Sequence, residues 1–285
     1  MNNRIVMLLA AGLLAACNLN DIRPEHIDML SKSVSAASTA ARPISDSEEY
    51  YVGRAVAARI LGSYPLLRNP ALTDYVNMVG QAVALNSEKP NTFGGYHFAL
   101  LDSEEVNAFA CPGGTILITR GMLRAVRSED ELAAVLAHEV AHVNHRDGIA
   151  AISKSRWTEA LTIVGTEAAK TYGPRDVARL ADIFEGSIDD VFKTLVVNGY
   201  GRSQENDADV TSLRYLAATG YDPKALEDIV SRLAAGARGS AGGIMTTHPA
   251  TADRLDTIRN NMPPRGADLS AKKMRDARFL KLKVS

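Results

Sequence analysis

Apolar residues along this chain recur mostly at helical spacing, with one stretch that alternates instead. Asp46-Ser47-Glu48-Glu49-Tyr50 opens a helix that reaches about Leu61 and breaks near Gly62 and Pro65. Leu72, Tyr75, Val76, Val79 and Val83, behind Asn69-Pro70, predict a second helix. Three short runs rich in strand formers follow at 96–101, 106–110 and 115–119, divided by Asp/Ser and Pro-Gly-Gly turns. They predict a small antiparallel sheet. Residues 149–200 read as helical with breaks at Gly173-Pro174 and Gly186, and hold the only tryptophan, Trp157. Further helices are expected over 203–220 and from Pro223 to about Ala235. A glycine-rich loop, 236–243, then leads into Thr247-His248-Pro249 and a last helix to about Asn261. The fold class that results is α+β, mainly helical.

The best-signalled helix lies in the middle. Leu132, Leu136, Val140 and Val143 step by three and four residues, predicting one apolar side to bury. Ser128 with Glu131 forms a capping box, Glu129 to Glu131 set negative charge against the helix start, and Gly148 suits the stop. This helix carries His138-Glu139-Val140-Ala141-His142 at the border of the expected core. Two histidines four apart stack on one face, so two imidazole nitrogens can meet one cation. The glutamate between them points about 100° away, where a carboxylate can take a proton from metal-activated water.

A catalytic zinc site needs a third protein ligand and an open position. Glu205 is the candidate: it begins a helix with Val210, Leu213 and Leu216 on its apolar side, and Asp209 follows one turn later. Asp209 is placed to receive the spare N–H of a ligand histidine. The spacing alone leaves a second reading open, because acidic residues in a first helical turn are common dipole partners.

Composition narrows the class. With 285 residues, 46% of them hydrophobic, the chain can bury a full core, and a net charge of −1 gives no field for nucleic acid. Residues 1–16 read as a signal peptide: Arg4, then an apolar run too short to span a bilayer, closing on Leu14-Ala15-Ala16-Cys17. That ending resembles a bacterial lipoprotein signal, with Cys17 as the lipidated residue and Asn18 compatible with the outer membrane. Residues 17–45, polar and Ser/Ala-rich, are expected to be a flexible tether, 46–262 the folded domain, and 263–285 a basic tail. The tail has seven basic residues against Asp268 and Asp276 and ends in a strand-like alternation, Leu280-Lys281-Leu282-Lys283-Val284. It is expected to be a solvated or edge element rather than a site for anionic lipid. With Cys17 acylated, Cys111 has no partner within the chain and is expected to be buried filler rather than a redox sensor.

His138-Glu139-Val140-Ala141-His142, the Asn206-Asp207-Ala208-Asp209 run behind Glu205, and Val106-Asn107-Ala108-Phe109 with Pro112-Gly113-Gly114 together resemble metallopeptidase family forty-eight, over about 45–261. That family takes in the CAAX prenyl, HtpX and mitochondrial Oma-type proteases. Within it the signal peptide makes the chain most similar to the periplasmic BepA and LoiP type, without the tetratricopeptide domain of the former. The resemblance implies a zincin-like fold whose edge strand borders the active-site helix, and one zinc ion per chain on His138, His142 and Glu205. It also implies Glu139 as the catalytic base, Asp209 behind the ligands, and 247–249 with Arg254 in an active-site loop.

Two roles remain open for His248. With Arg254 it is a candidate donor to the developing oxyanion, or it swings in as a fourth zinc ligand that closes the resting site. The edge formed by Asn107, Ala108, Phe109 and Ala110 would accept an extended substrate as an added strand. The expected activity is zinc-dependent endopeptidase action on unfolded or misassembled envelope proteins, at the periplasmic side of the outer membrane. The competing readings are a zinc-bound chaperone or assembly factor with little turnover, and a structural lipoprotein.

Overall fold

The computed structural model describes residues 43–152, 156, 174–236, 243–249, 252–264 and 269–283. The expected signal segment, Cys17, the tether up to residue 42, Trp157, Gly173 and most of the glycine-rich loop lie outside them. The chain divides into two compact units, Met1–Pro43 with Trp157–Leu180, and Ile44–Arg156 with Ala181–Ser285. Every side chain discussed below belongs to the second.

That unit is mainly helical around one small sheet, the α+β class expected. Helix α1 (Asp46–Ser63) starts at the capping box of Ser45 and Glu48, and α2 (Pro70–Leu85) at Asn69, whose Oδ1 accepts from Leu72 N at 3.1 Å. Strands β1 (His97–Leu101), β2 (Ala108–Cys111) and β3 (Thr115–Thr119) follow in the order β1-β3-β2. The sheet is mixed rather than antiparallel: β2 and β3 form a hairpin over Pro112–Gly114, but β1 pairs with β3 in parallel. The physical reason lies in the link at 102–107, which carries the chain past β1's neighbour position so that β3 returns between the two earlier strands. The free edge of β1 is closed by side chains of α2. Asn77 donates to Phe98 O at 2.7 Å and Gln81 to Tyr96 O at 2.7 Å.

Helix α3 (Arg120–Ala125) leads to α4 (Glu129–His145), around which the rest is packed. The pattern predicts one buried side, yet every residue from Glu129 to Val143 is buried. Ala133, Ala134, Ala137 and Ala141 supply the other faces, and side chains this small let helices approach from several directions. The approaching elements are α2, α7 (Arg202–Thr219), α8 (Lys224–Gly236) and α11 (Leu269–Lys283), with β2 beside them. The helix stops at Arg146 rather than at Gly148. Arg146 is in the left-handed region (φ 60°), held there by ion pairing to Glu49 at 2.9 Å and donation to Ile44 O at 2.6 Å. Gly148 sits inside the short α5 (Asp147–Ala150), where a Cβ would come within 3.1 Å of the Pro112 ring.

Helix α6 (Pro174–Lys193) runs through Gly186 without the expected break and ends in a π-helical turn, Thr194–Asn198. After α8 come α9 (Ile244–Thr247), α10 (Ala252–Asn260) and α11. No helix among the described residues is long and apolar enough to cross a membrane.

The basic tail is the largest departure from expectation. Its strand-like end is helical through Lys283, because α11 buries Arg275 and Phe279, one turn apart, against the core. Arg275 Nε lies 2.8 Å from Asp130 Oδ1, and Arg278 Nε 2.8 Å from Glu129 Oε2. Glu129 also accepts from Tyr75 Oη at 2.8 Å and Tyr221 Oη at 3.1 Å. The acids read as dipole partners of α4 are therefore also buried ion-pair partners of the tail. Arg275→Ala, which leaves Asp130 only the more distant Lys272 Nζ at 4.0 Å, should lower unfolding stability by on the order of 3 kcal/mol, read from the urea midpoint. An unchanged midpoint would show that the tail helix is only loosely docked.

Candidate active site

Helix α4 presents His138 and His142, α7 presents Glu205 and Asp209, and the turn after α9 presents His248, all buried. His138 Nε2 is 3.1 Å from His142 Nε2 and 3.3 Å from His248 Nδ1, and His248 Nδ1 is 2.8 Å from Glu205 Oε1. One ligand atom from each of these four residues lies within 4.8 Å of the others. The histidine expected as an open alternative thus stands among the three expected ligands.

The outer nitrogens are set from behind. His138 Nδ1 faces Asp209 Oδ1 at 3.0 Å, and His142 Nδ1 faces Asp147 Oδ2 at 2.7 Å. Carboxylates there favour a proton on each Nδ1 and leave bare lone pairs on the two Nε2 atoms, which point at each other. Lone pairs face to face repel unless a cation sits between them. Four donors around zinc at about 2.0–2.1 Å stand roughly 3.3 Å apart, close to the separations found here. The residues present fit the ion.

The carboxylates draw positive charge to this point, a metal ion between the Nε2 atoms or, without one, a proton. Burial opposes charging of His138, but Asp209 and Glu205 hold its pKa up at about 10. Burial also opposes ionising Glu205 and Asp209. The positive neighbours outweigh it, His248 foremost for Glu205 and Arg254 for Asp209, and both carboxyls are held below their usual range. Arg254, itself 4% exposed, bonds Asp209 through Nε (2.7 Å) and Nη2 (2.8 Å), and reaches Glu205 Oε2 at 2.7 Å. Its Nη1 also donates to His248 O at 3.2 Å. This guanidinium is committed to holding carboxylates and the His248 turn.

Glu139 differs from all of these. It is fully buried, neither of its oxygens has a hydrogen-bond partner, and the nearest cationic candidate, His248 Nε2, is 3.9 Å away. A buried carboxylate without partners is costly, and such a group at a cluster of metal donors has the chemistry of a base awaiting a proton donor.

The expected substrate edge is β2, and it is indeed an outer strand. It is not open, however: Asn107 and Ala108 to Cys111 are all buried. Ile244 N donates to Val106 O at 2.7 Å, Tyr200 N to Thr247 O at 3.1 Å, and Thr247 Oγ1 reaches Asn107 Oδ1 at 3.4 Å. The segment that brings His248 to the donors is bonded to Val106 and Asn107, just ahead of this strand, and the Thr194–Asn198 turn packs against the strand itself. Cys111 is free and fully buried, and burial pushes its thiol well up from its usual range, as inert filler requires.

Three residues of the site carried no sequence signal. Asp147 orients His142 from beyond the end of α4. Gln204 accepts from Gly201 N at 3.0 Å at the start of α7 and donates to Asp147 Oδ1 at 3.0 Å. Tyr200 stacks on the His142 ring, centroids 4.1 Å apart at 22°.

Two histidines a turn apart on one helix, a carboxylate from a second helix and a bare glutamate between the histidines define a metallopeptidase site of the zincin kind. The chain belongs to Peptidase family M48, whose sequence profile matches residues 70–262, and members of that family depend on zinc. Among its relatives is the beta-barrel assembly-enhancing protease of Escherichia coli K12, 27% identical over 254 residues, covering 88% of this chain and 51% of that protein. The metalloprotease LoiP of the same organism is 27% identical over 164 residues, 58% of this chain and 62% of LoiP. The mitochondrial metalloendopeptidase OMA1 of Arabidopsis thaliana is 28% identical over 148 residues, 50% of this chain and 27% of OMA1. The chain spans about half the length of the assembly-enhancing proteases it matches.

Asp147→Asn keeps the shape but removes the charge that fixes the His142 tautomer. It should weaken zinc binding about 10–100-fold in competition with a chromogenic chelator. Unaltered affinity would mean that Asp147 plays no part in the ligand set.

Proposed function

We propose that this chain is a zinc-dependent endopeptidase that cuts unfolded or misassembled envelope proteins. The observation that carries the reading is the unpartnered Glu139 carboxylate beside four converging donors. A purely structural zinc site needs no such group, and the same feature counts against a holdase with little turnover.

His138, His142 and Glu205 would hold the ion, with Asp147 and Asp209 fixing the two imidazoles. Zinc bound there supplies Lewis acidity to a water molecule and to the scissile carbonyl. Glu139 takes a proton from the attacking water as its oxygen bonds to the carbonyl carbon, and returns it to the amide nitrogen as the C–N bond breaks. Arg254 keeps Glu205 and Asp209 ionised and in place.

His248 is best read as the gate. Its Nδ1 stands among the ligand atoms and would fill the position that a catalytic zinc keeps open, and the segment preceding it is bonded to Val106 and Asn107 at the entrance to β2. Withdrawal of residues 243–248 would free the fourth position and the approach to the strand together. Asn107 to Ala110 would then take an extended substrate as an added strand, which favours unfolded chains over a tight sequence motif. Envelope substrates are supported by the names of the assembly-enhancing relatives. Anchoring through a lipidated Cys17 to the periplasmic side of the outer membrane is supported by the lipoprotein-like signal. A Cys17→Ala variant should then appear in the soluble periplasmic fraction, and one that stays with the membrane refutes the anchor.

The deciding experiment compares cleavage of an unfolded model protein by wild type, Glu139→Gln and His248→Ala, with zinc content determined for each. Glu139→Gln should keep zinc and lose about 10²–10⁴-fold in rate. His248→Ala should cut faster than wild type. A dead His248→Ala that retains zinc would move His248 to transition-state stabilisation, and silence of all three on every unfolded chain would favour the holdase.

A further inference from the structure

Tyr200 is buried, 6% exposed, and its hydroxyl has no hydrogen-bond partner. Its ring lies flat on the ligand candidate His142 and 5.6 Å from the His248 ring. The residue is placed there firmly. Gly199 (φ 76°) turns the chain out of the π-helical turn, a Cβ at Gly199 would collide with Thr247 O at 2.5 Å, and Tyr200 N donates to that same carbonyl.

A phenylalanine would stack on His142 equally well. The hydroxyl adds nothing to packing, and leaving it buried and unpaired costs about 1–3 kcal/mol. A tyrosine near neutral pH keeps its proton, so the unpaired group is a donor. Both oxygens of Glu139, whose Oε1 lies 3.9 Å from the Nε2 of the same His248, are unpaired acceptors. One orphan donor and two orphan acceptors beside the metal donors are the complement of a peptide carbonyl, which accepts, and a water molecule, which donates.

We propose that Tyr200 is a further catalytic residue, whose hydroxyl donates to the scissile carbonyl oxygen as that oxygen gains negative charge. Arg254, expected from the sequence to serve there, is held by Asp209 and Glu205. Tyr200 has no such commitment. The proposal rests on the endopeptidase reading and adds to it the group that meets the oxyanion.

Tyr200→Phe removes one oxygen atom and nothing else. In the full mature chain it should keep wild-type zinc content and a melting temperature at or slightly above wild type. The value of kcat should fall about 10²-fold, with KM changed less than about twofold. Affinity for a phosphinic peptide, a tetrahedral mimic, should fall by a similar factor when measured by calorimetry. Binding of the uncleaved amide peptide to Glu139→Gln should be the same with and without the second substitution.

Wild-type kcat and phosphinate affinity in Tyr200→Phe would overturn the proposal while leaving the endopeptidase reading intact. So would a melting point lowered by about 5 °C or more, because the hydroxyl would then be bonded in the resting protein. A wild-type chain that neither cuts nor binds the phosphinate overturns the endopeptidase reading, and the Tyr200 proposal falls with it.

Discussion

Glu205 and Asp209 are shielded from water almost completely, and ionised carboxylates in such a place persist only when cations and hydrogen-bond donors surround them. Their partners come from three other stretches of chain: His138 and His142 on α4, His248 after α9, and Arg254 on α10. The packing of α7 against α4 is therefore more than an apolar contact. It is a junction between acids and imidazoles in which each buried carboxylate is offset by partners from other elements. Arg254 has a particular place in it, because it neutralises one carboxylate that meets the ligand atoms and one that orients a ligand from behind. The geometry of the donor cluster and the packing of the helices depend on the same few charges.

Much of this could be read from spacing alone, for a definite reason. The two histidines and Glu139 lie within one helical turn and a half, where the backbone fixes which side chains are neighbours. Glu205 and Asp209 are likewise one turn apart. The gap between the two motifs is not set by local geometry, and there the resemblance to a known family did what periodicity could not. Asp147 was hidden by the left-handed turn at Arg146, which sends the chain back towards His142 after the helical period has ended. Tyr200 follows a π-helical turn and a glycine with positive φ, so no repeating pattern reaches it.

The sheet and the tail depart from their local sequence patterns for related reasons. Three short strands separated by turns suggest hairpins, but only the Pro-Gly-Gly link makes one, and the pairing of β1 depends on where a six-residue link happens to travel. In the tail, alternation of Leu and Lys over five residues is too short to compete with the burial of Arg275 and Phe279 one helical turn apart. The acids at the start of α4 had an adequate local explanation as partners of the helix dipole. Their second set of partners lies some 145 residues away, beyond any local pattern.

Helix α4 is gripped at both ends by remote parts of the chain. Its first turn is neutralised from positions 145 and 149 residues later, and the residue that ends it holds a carbonyl 102 residues earlier. On a ribosome, or during passage through a narrow channel, the motif-bearing segment therefore emerges long before its surroundings exist. Glu129 and Asp130 stay hydrated until Arg275 and Arg278 arrive, and the helix has no reason to settle into its final bed before then. Assembly of the donor cluster on this helix is thus tied to a stretch made about 145 residues after the helix start, and the donors have no settled frame until that stretch arrives.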